Sequence, residues 1–149
     1  MYRSILVAID GSDLATRALE HALTLSKALG SKVTVVTVIE PTAVAGGGYP
    51  MLVGVGFEAV AELLAAHRSI ANETLDKAVA LAAAQGVEAR RELVEEVFAA
   101  EGIIATAEKI GADLIVMGSH GLRGLSRVLL GSQTSNVLAH TRLPVLVTR

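Results

Sequence analysis

The apolar positions of this chain fall into two kinds of run. The first kind is short and nearly unbroken. "SILVAI" (residues 4–9) ends at Asp10-Gly11-Ser12, and "KVTVVTVIE" (32–40) is β-branched and ends before Pro41. "DLIVMG" (113–118) and "LPVLVTR" (143–149) follow the same pattern, and "VEARRELVE" (87–95) alternates only in part. Such runs predict four apolar strands and one more exposed strand. The second kind recurs at helical spacing. Leu14, Ala18, Ala22, Leu25 and Leu29 predict a helix after Ser12, its expected cap, with Gly30 as its stop. Phe57, Ala61, Leu64, Arg68, Ala71, Leu75, Ala78 and Ala82 predict a long helix over 57–85, closed by Gly86. Ala100, Ile103, Ala107 and Ile110 predict a third over Ala99–Ile110, stopped by Gly111. A last helix is expected from near Ser132, ending before Leu143-Pro144 because the residue before proline avoids the helical region. Between the second strand and the long helix, residues 41–56 are glycine-rich and read as a long loop, a candidate flap. Strands alternating with helices imply an α/β fold, a parallel sheet with helices on both faces.

Composition narrows the picture. The 149 residues are 52% hydrophobic and 19% charged, enough for the core of one domain over 1–149. The net charge of −2 offers no broad basic surface, so neither nucleic acid nor an anionic membrane is an expected partner. There is no cysteine, which excludes disulfides and thiolate metal sites and fits a cytoplasmic location. The first ten residues do not make a secretory signal, and no apolar stretch is long enough for a bilayer span. His21, His67 and His140 stand alone and read as surface residues, with no metal-ligand spacing.

The candidate chemistry lies in "GSHGLRGLSRVLLGS" (118–132). Gly118, Gly121, Gly124 and Gly131 lie between one strand and one helix. Bare backbone there lets a phosphate approach peptide N–H groups, and Ser132 and Thr134 add hydroxyls at a helix start. The loop does not end in Gly-Lys-Ser/Thr, and no G-x-G-x-x-G follows the first strand, so neither the P-loop nor the dinucleotide fingerprint applies.

The spacing G-x2-G-x9-G-S (Gly118, Gly121, Gly131, Ser132), with "ILVAIDGS", "ADLIVMGSHG" and "LPVLVTR", resembles the ATP-binding branch of the universal stress protein family over nearly the whole chain. The resemblance implies a Rossmann-like five-stranded parallel sheet of order 3-2-1-4-5 and a homodimer. The dimer is expected through the C-terminal strand. The resemblance also implies ATP, carried with Mg²⁺ or Mn²⁺, and gives roles to residues. Asp10 would accept from the nucleoside, and Val38 would offer its backbone to the adenine edge. Met117 would lie under the nucleoside and Gly118 would touch it by backbone. His120 and Gly121 would line the ribose and phosphates, and Gly131, Ser132, Gln133 and Thr134 would hold the phosphates. Arg123 and Arg127 would reach the phosphate tail or be solvated.

Read without the resemblance, Asp10 is a turn residue, Val38 and Met117 are core side chains, and His120 is a surface loop residue. Two departures from the family pattern are Thr37, where a histidine is common, and "VEEVFAAEG" after the third strand. The arrangement points to a regulatory binding protein in stress response, with at most slow hydrolysis and a protein partner the sequence does not name. The alternatives are a true ATPase or nucleotidyl transferase on this fold, and a small-ligand sensor associated with a transporter.

Overall fold

The computed structural model describes residues 1–41, 57–95, 97–120 and 131–149. Five strands form one parallel sheet: β1 (Ser4–Ala8), β2 (Lys32–Ile39), β3 (Ala89–Glu95), β4 (Leu114–Gly118) and β5 (Val145–Thr148). Their order is β3-β2-β1-β4-β5, as the family resemblance implies. Four helices are described: α1 (Asp13–Leu29), α2 (Phe57–Ala84), α3 (Ala99–Ile110) and α4 (Ser132–His140). Pro41 apart, the expected loop 41–56 lies outside the described residues, as do Gly121, Arg123, Gly124 and Arg127.

Alternation along the central strands divides the core in two. Ile5 and Val7 of β1, Val33 and Val35 of β2, and Leu114 and Val116 of β4 face α1 and α2. Leu6, Val36, Ile115 and Met117 face the other way, onto α3 and α4. A strand covered on both faces has to be apolar at successive positions, which is why β1 and β4 read as unbroken runs.

The structure corrects two of the helical stripes. In α1 the buried line is Ala15, Ala18, Leu19, Ala22, Leu23 and Ser26. Leu14 and Leu25 flank it, and Leu29 is 46% exposed. Small residues allow close contact with the sheet, and Ser26 is tolerated because its hydroxyl donates to the Ser31 carbonyl (2.7 Å). In α2 the expected stripe is buried at Ala71, Leu75, Ala78 and Ala82, whereas Ala61 and Arg68 are exposed and Leu64 is half-buried. Length explains this. The 28 residues of α2 span about 42 Å, whereas the eight of β2 span about 26 Å. The first turns of α2 therefore stand beyond the sheet, and Arg68, which pairs with Glu95 at the end of β3, marks the level of the rim.

Gly86 shortens the expected third strand. With φ at 76° it lets its own N–H reach Ala83 O (2.9 Å) and the Val87 N–H reach Ala82 O (3.0 Å), closing α2. Val87 is thus used by the helix end, and pairing with β2 begins at Ala89.

The C-terminal rim of the sheet is stepped. Ala8, the last residue of β1, pairs with Val36, and β2 continues through Thr37, Val38 and Ile39 beside β3. Three further residues raise a wall about 10 Å high beside the short central strand.

Candidate functional site

In this strand order the chain reverses direction across the sheet between β1 and β4, and ligands of doubly wound folds bind at the carboxyl ends of the strands at that point. Both sequence motifs end there. After β1, Gly11 takes a left-handed φ of 84°, and a Cβ added there would lie 3.3 Å from Thr74 Oγ1 of α2. This turn brings the Ser12 N–H onto Asp10 Oδ1 (3.0 Å), and Ser12 Oγ in turn accepts from the Ala15 N–H (3.2 Å), capping α1. Asp10 therefore does hold the turn. Its carboxylate is half-buried at the step.

Ile9 donates its N–H to Val36 O (2.9 Å), so the peptide edge of Val36 faces β1. Backbone groups alternate along a strand, so Val38 turns its N–H and C=O to the same side, past the end of β1. Its side chain points to the other core, against α3: a Cβ placed on Gly102 would lie 3.0 Å from Val38 Cγ2. Thr37, standing where the family often has histidine, donates its hydroxyl to Ile9 O (3.0 Å).

After β4, Gly118 lies against the first turn of α1, where a Cβ would meet Leu14 Cβ at 3.1 Å. Met117 is buried in the α3–α4 core. The side chains of Val38 and Met117 are thus core side chains in this structure. Ser119 donates its N–H to Thr148 O and accepts from the Gly131 N–H, both at 2.8 Å. His120 places Nδ1 2.9 Å from Ser119 Oγ, and its Nε2 is buried with no hydrogen-bond partner among the described residues.

Gly131 caps α4 with no side-chain bond, so the N-cap residue itself offers no oxygen to the first peptide N–H groups of that helix. Its lack of a side chain is also required by packing, since a Cβ there would lie 3.2 Å from Ser119 O and 3.3 Å from His120 Cα. Ser132 is exposed on the first turn. Thr134 was expected to turn its hydroxyl to a phosphate. The structure buries it and directs it to Gly118 O (2.9 Å), so its peptide N–H is the group left for an anion. Gln133 turns its amide NH₂ to Glu40 Oε1 (2.9 Å), and its own Oε1 is buried without a partner among the described residues.

The fold thus brings Gly118, His120, Gly131, Ser132, Gln133 and Thr134 together, with Asp10 and Val38 on neighbouring strands across the step. Sequence reasoning missed Glu40, Thr37 as a bonding group, and Gly102. Gly102 carried a signal, because a glycine inside a helical pattern usually has a packing reason. Glu40 carried none, its partners lying 59 and 93 residues away. Among the described residues no group of three or more His, Asp or Glu side chains is placed to hold a metal ion.

The family model of the Universal stress protein family matches residues 1–149. The chain belongs to this family. A universal stress protein of Methanocaldococcus jannaschii is 35% identical over 149 residues, covering 100% of this chain and 83% of its own length. One of Thermus aquaticus is 36% identical with both chains covered in full. The solved structure of M. jannaschii MJ0577 superposes with a TM-score of 0.83 at 29% identity, covering 99% of this chain and 96% of that one. A universal stress protein solved in complex with cAMP matches at TM-score 0.66 and 25% identity, over 99% of this chain and 97% of that one. One from Archaeoglobus fulgidus, solved in complex with dAMP, matches at 0.68 and 26%, over 99% and 98%. These relatives support nucleotide binding as a property within the fold. No described helix is long and apolar enough to cross a membrane.

Proposed function

We propose that this protein binds ATP at the C-terminal rim of its sheet and acts as a regulatory binding protein of the stress response. The observation that carries the reading is the start of α4. A helix whose N-cap is glycine, which supplies no side-chain oxygen, sits at the switch point beside the buried Nε2 of His120, which has no partner among the described residues. Uncapped N–H groups and the positive end of the helix dipole suit phosphate oxygens. In the tautomer in which Ser119 Oγ donates to His120 Nδ1, Nε2 carries the proton and would add a donor. The nucleoside end would lie across the step, between Asp10 and the outward peptide edge of Val38. The cAMP and dAMP complexes of relatives support an adenine ligand.

A Mg²⁺ or Mn²⁺ ion would travel on the nucleotide phosphates, where it would neutralise charge. The described groups near α4 are hydrogen-bonding side chains, peptide N–H groups and the backbone dipole of the helix, rather than the metal ligands and water-orienting group of phosphoryl transfer. Hydrolysis is therefore expected to be far slower than about 1 s⁻¹. A cytoplasmic setting, a homodimer through the outer edge of β5, and an unidentified regulatory partner belong to the same reading. β5 ends the strand order, and its apolar edge is a template for pairing with a second copy.

The deciding experiment is titration of purified protein with ATP, GTP and adenosine, with mass spectrometry of any ligand released on denaturation. ATP and adenosine binding, with GTP much weaker, is the expected result. No adenine ligand in either measurement would overturn the reading. Light scattering that gave a monomer mass at micromolar concentration would reject the dimer.

A further inference from the structure

Glu40 follows β2 directly and stands two residues after Val38. Its Oε1 accepts two hydrogen bonds from distant parts of the chain: the Ala99 N–H that begins α3 and Gln133 Nε2 on the first turn of α4, both at 2.9 Å. The residue capping α3, Phe98, makes no side-chain bond, so the cap comes from Glu40 on another element. The second bond fixes Gln133. An ionised carboxylate only accepts, so the amide must present its NH₂ to Glu40 and turn its carbonyl oxygen away. That oxygen is buried and has no partner among the described residues.

We propose that Glu40 is a positioning residue of this site, tying the first turn of α4 to the end of β2 through Gln133 so that the two halves of the crevice are held in register before a ligand arrives. The inference rests on the nucleotide reading. The tie joins the strand that offers Val38 to the helix that offers its N–H groups. It therefore matters for a ligand that spans both, such as ATP, and hardly for adenosine, which engages the strand side alone. Without it, binding ATP has to order the turn as well, and preorganisation is lost.

The test uses the full chain, titrated with ATP and with adenosine. Glu40→Ala and Gln133→Leu should each weaken ATP roughly tenfold and leave adenosine within about twofold. Gln133→Leu leaves the cap on α3 intact, so agreement between the two variants isolates the tie from the stability of α3. Glu40→Gln keeps an oxygen that accepts both bonds and should restore ATP affinity. Unchanged ATP affinity in Glu40→Ala would overturn the proposal, as would equal losses for ATP and adenosine or failure of Glu40→Gln to rescue. Hydrogen exchange at residues 135–137 without ligand adds a readout independent of nucleotide, and Glu40→Ala should accelerate it. If wild-type protein binds neither ligand, the nucleotide reading falls. Unchanged exchange in Glu40→Ala would then dispose of the tie as well.

Discussion

At the N-terminal rim of the sheet, Asp113 accepts from the peptide N–H groups of Arg3 (2.9 Å) and Ser4 (3.0 Å) and donates its own N–H to Ser4 O (2.9 Å). Ser31 bonds the Tyr2 carbonyl and accepts from Ser26, and Lys32 donates to Arg3 O. The C-terminal rim is also bonded, through Thr37, Thr134, Glu40 and Ser119, yet it keeps buried polar atoms without partners: His120 Nε2, Gln133 Oε1 and Thr148 Oγ1. Among the described residues every such atom lies at that one rim. A buried polar group left unpaired costs about 1–3 kcal/mol, so these atoms mark the C-terminal rim as the end where, among the described residues, polar groups are available to a further partner.

The largest expected effect comes from Gly131→Val. The new Cβ would meet backbone, which cannot swing aside, so overpacking of about 1–3 kcal/mol is expected. Thermal melting should fall by about 2–4 °C for each kcal/mol, and ATP binding should vanish. A variant that melts normally and binds ATP would show that the two rims are equally tolerant.

Asp10→Ala comes next. If its carboxylate reads the nucleoside, ATP and adenosine should weaken by a similar factor, about tenfold. Calorimetric titration checks this against a melting curve on the same sample. A lower melting temperature with affinity retained would reduce Asp10 to its bond with the Ser12 N–H.

Gly102→Ala weighs two opposing effects. Alanine gains about 1 kcal/mol of helix propensity over glycine, but its methyl would sit 3.0 Å from both Val38 Cγ2 and Val97 Cγ2. Overpacking should win, with a net loss of about 1 kcal/mol. Val38→Ala in the same chain should recover part of it, as a double-mutant cycle in denaturant would show.

The smallest effect belongs to the well-bonded rim. The peptide N–H of Arg3 foremost, with that of Ser4, holds the Asp113 carboxyl below its ordinary value of 3.8, and outweighs the partial burial that pulls the other way. The folded-state value is depressed, so this stabilisation is complete above the ordinary value and is lost as pH falls through the folded one. Asp113→Asn should flatten the acid limb of a stability–pH curve and leave ATP affinity at pH 7 unchanged. An unchanged acid limb would remove Asp113 from the account.

Much of the fold was legible in the sequence because it rests on local patterns. The runs at β1, β2 and β4 are apolar on both faces, and glycines at 30, 86 and 111 end helices where the periodicity stops. What was misread depends on distance. The buried line of α1 follows small residues rather than leucines, because contact with the sheet favours what fits closely. The exposed half of α2 reflects a helix longer than the strands it covers, which no periodicity encodes. At the site, the glycine spacing located the start of α4, but the uses of Thr134, Gln133 and Glu40 follow from side chains meeting across the sheet. Glycine at 131 also proved to have a packing reason that is independent of any phosphate.

The bond from Asp113 to Arg3 spans 110 residues, and it has a meaning in time as well as in space. β1 pairs with β2, the next strand in chain order, but must wait for β4 to close its other side. Long-range parallel pairings of this sort are the slow part of folding. β1, α1 and β2 can assemble from the first forty residues, yet Gly131, Ser119 and Thr148 join only once β4 and β5 have docked. The hydrogen bonds of this rim are therefore complete only in a chain whose last strands are in place.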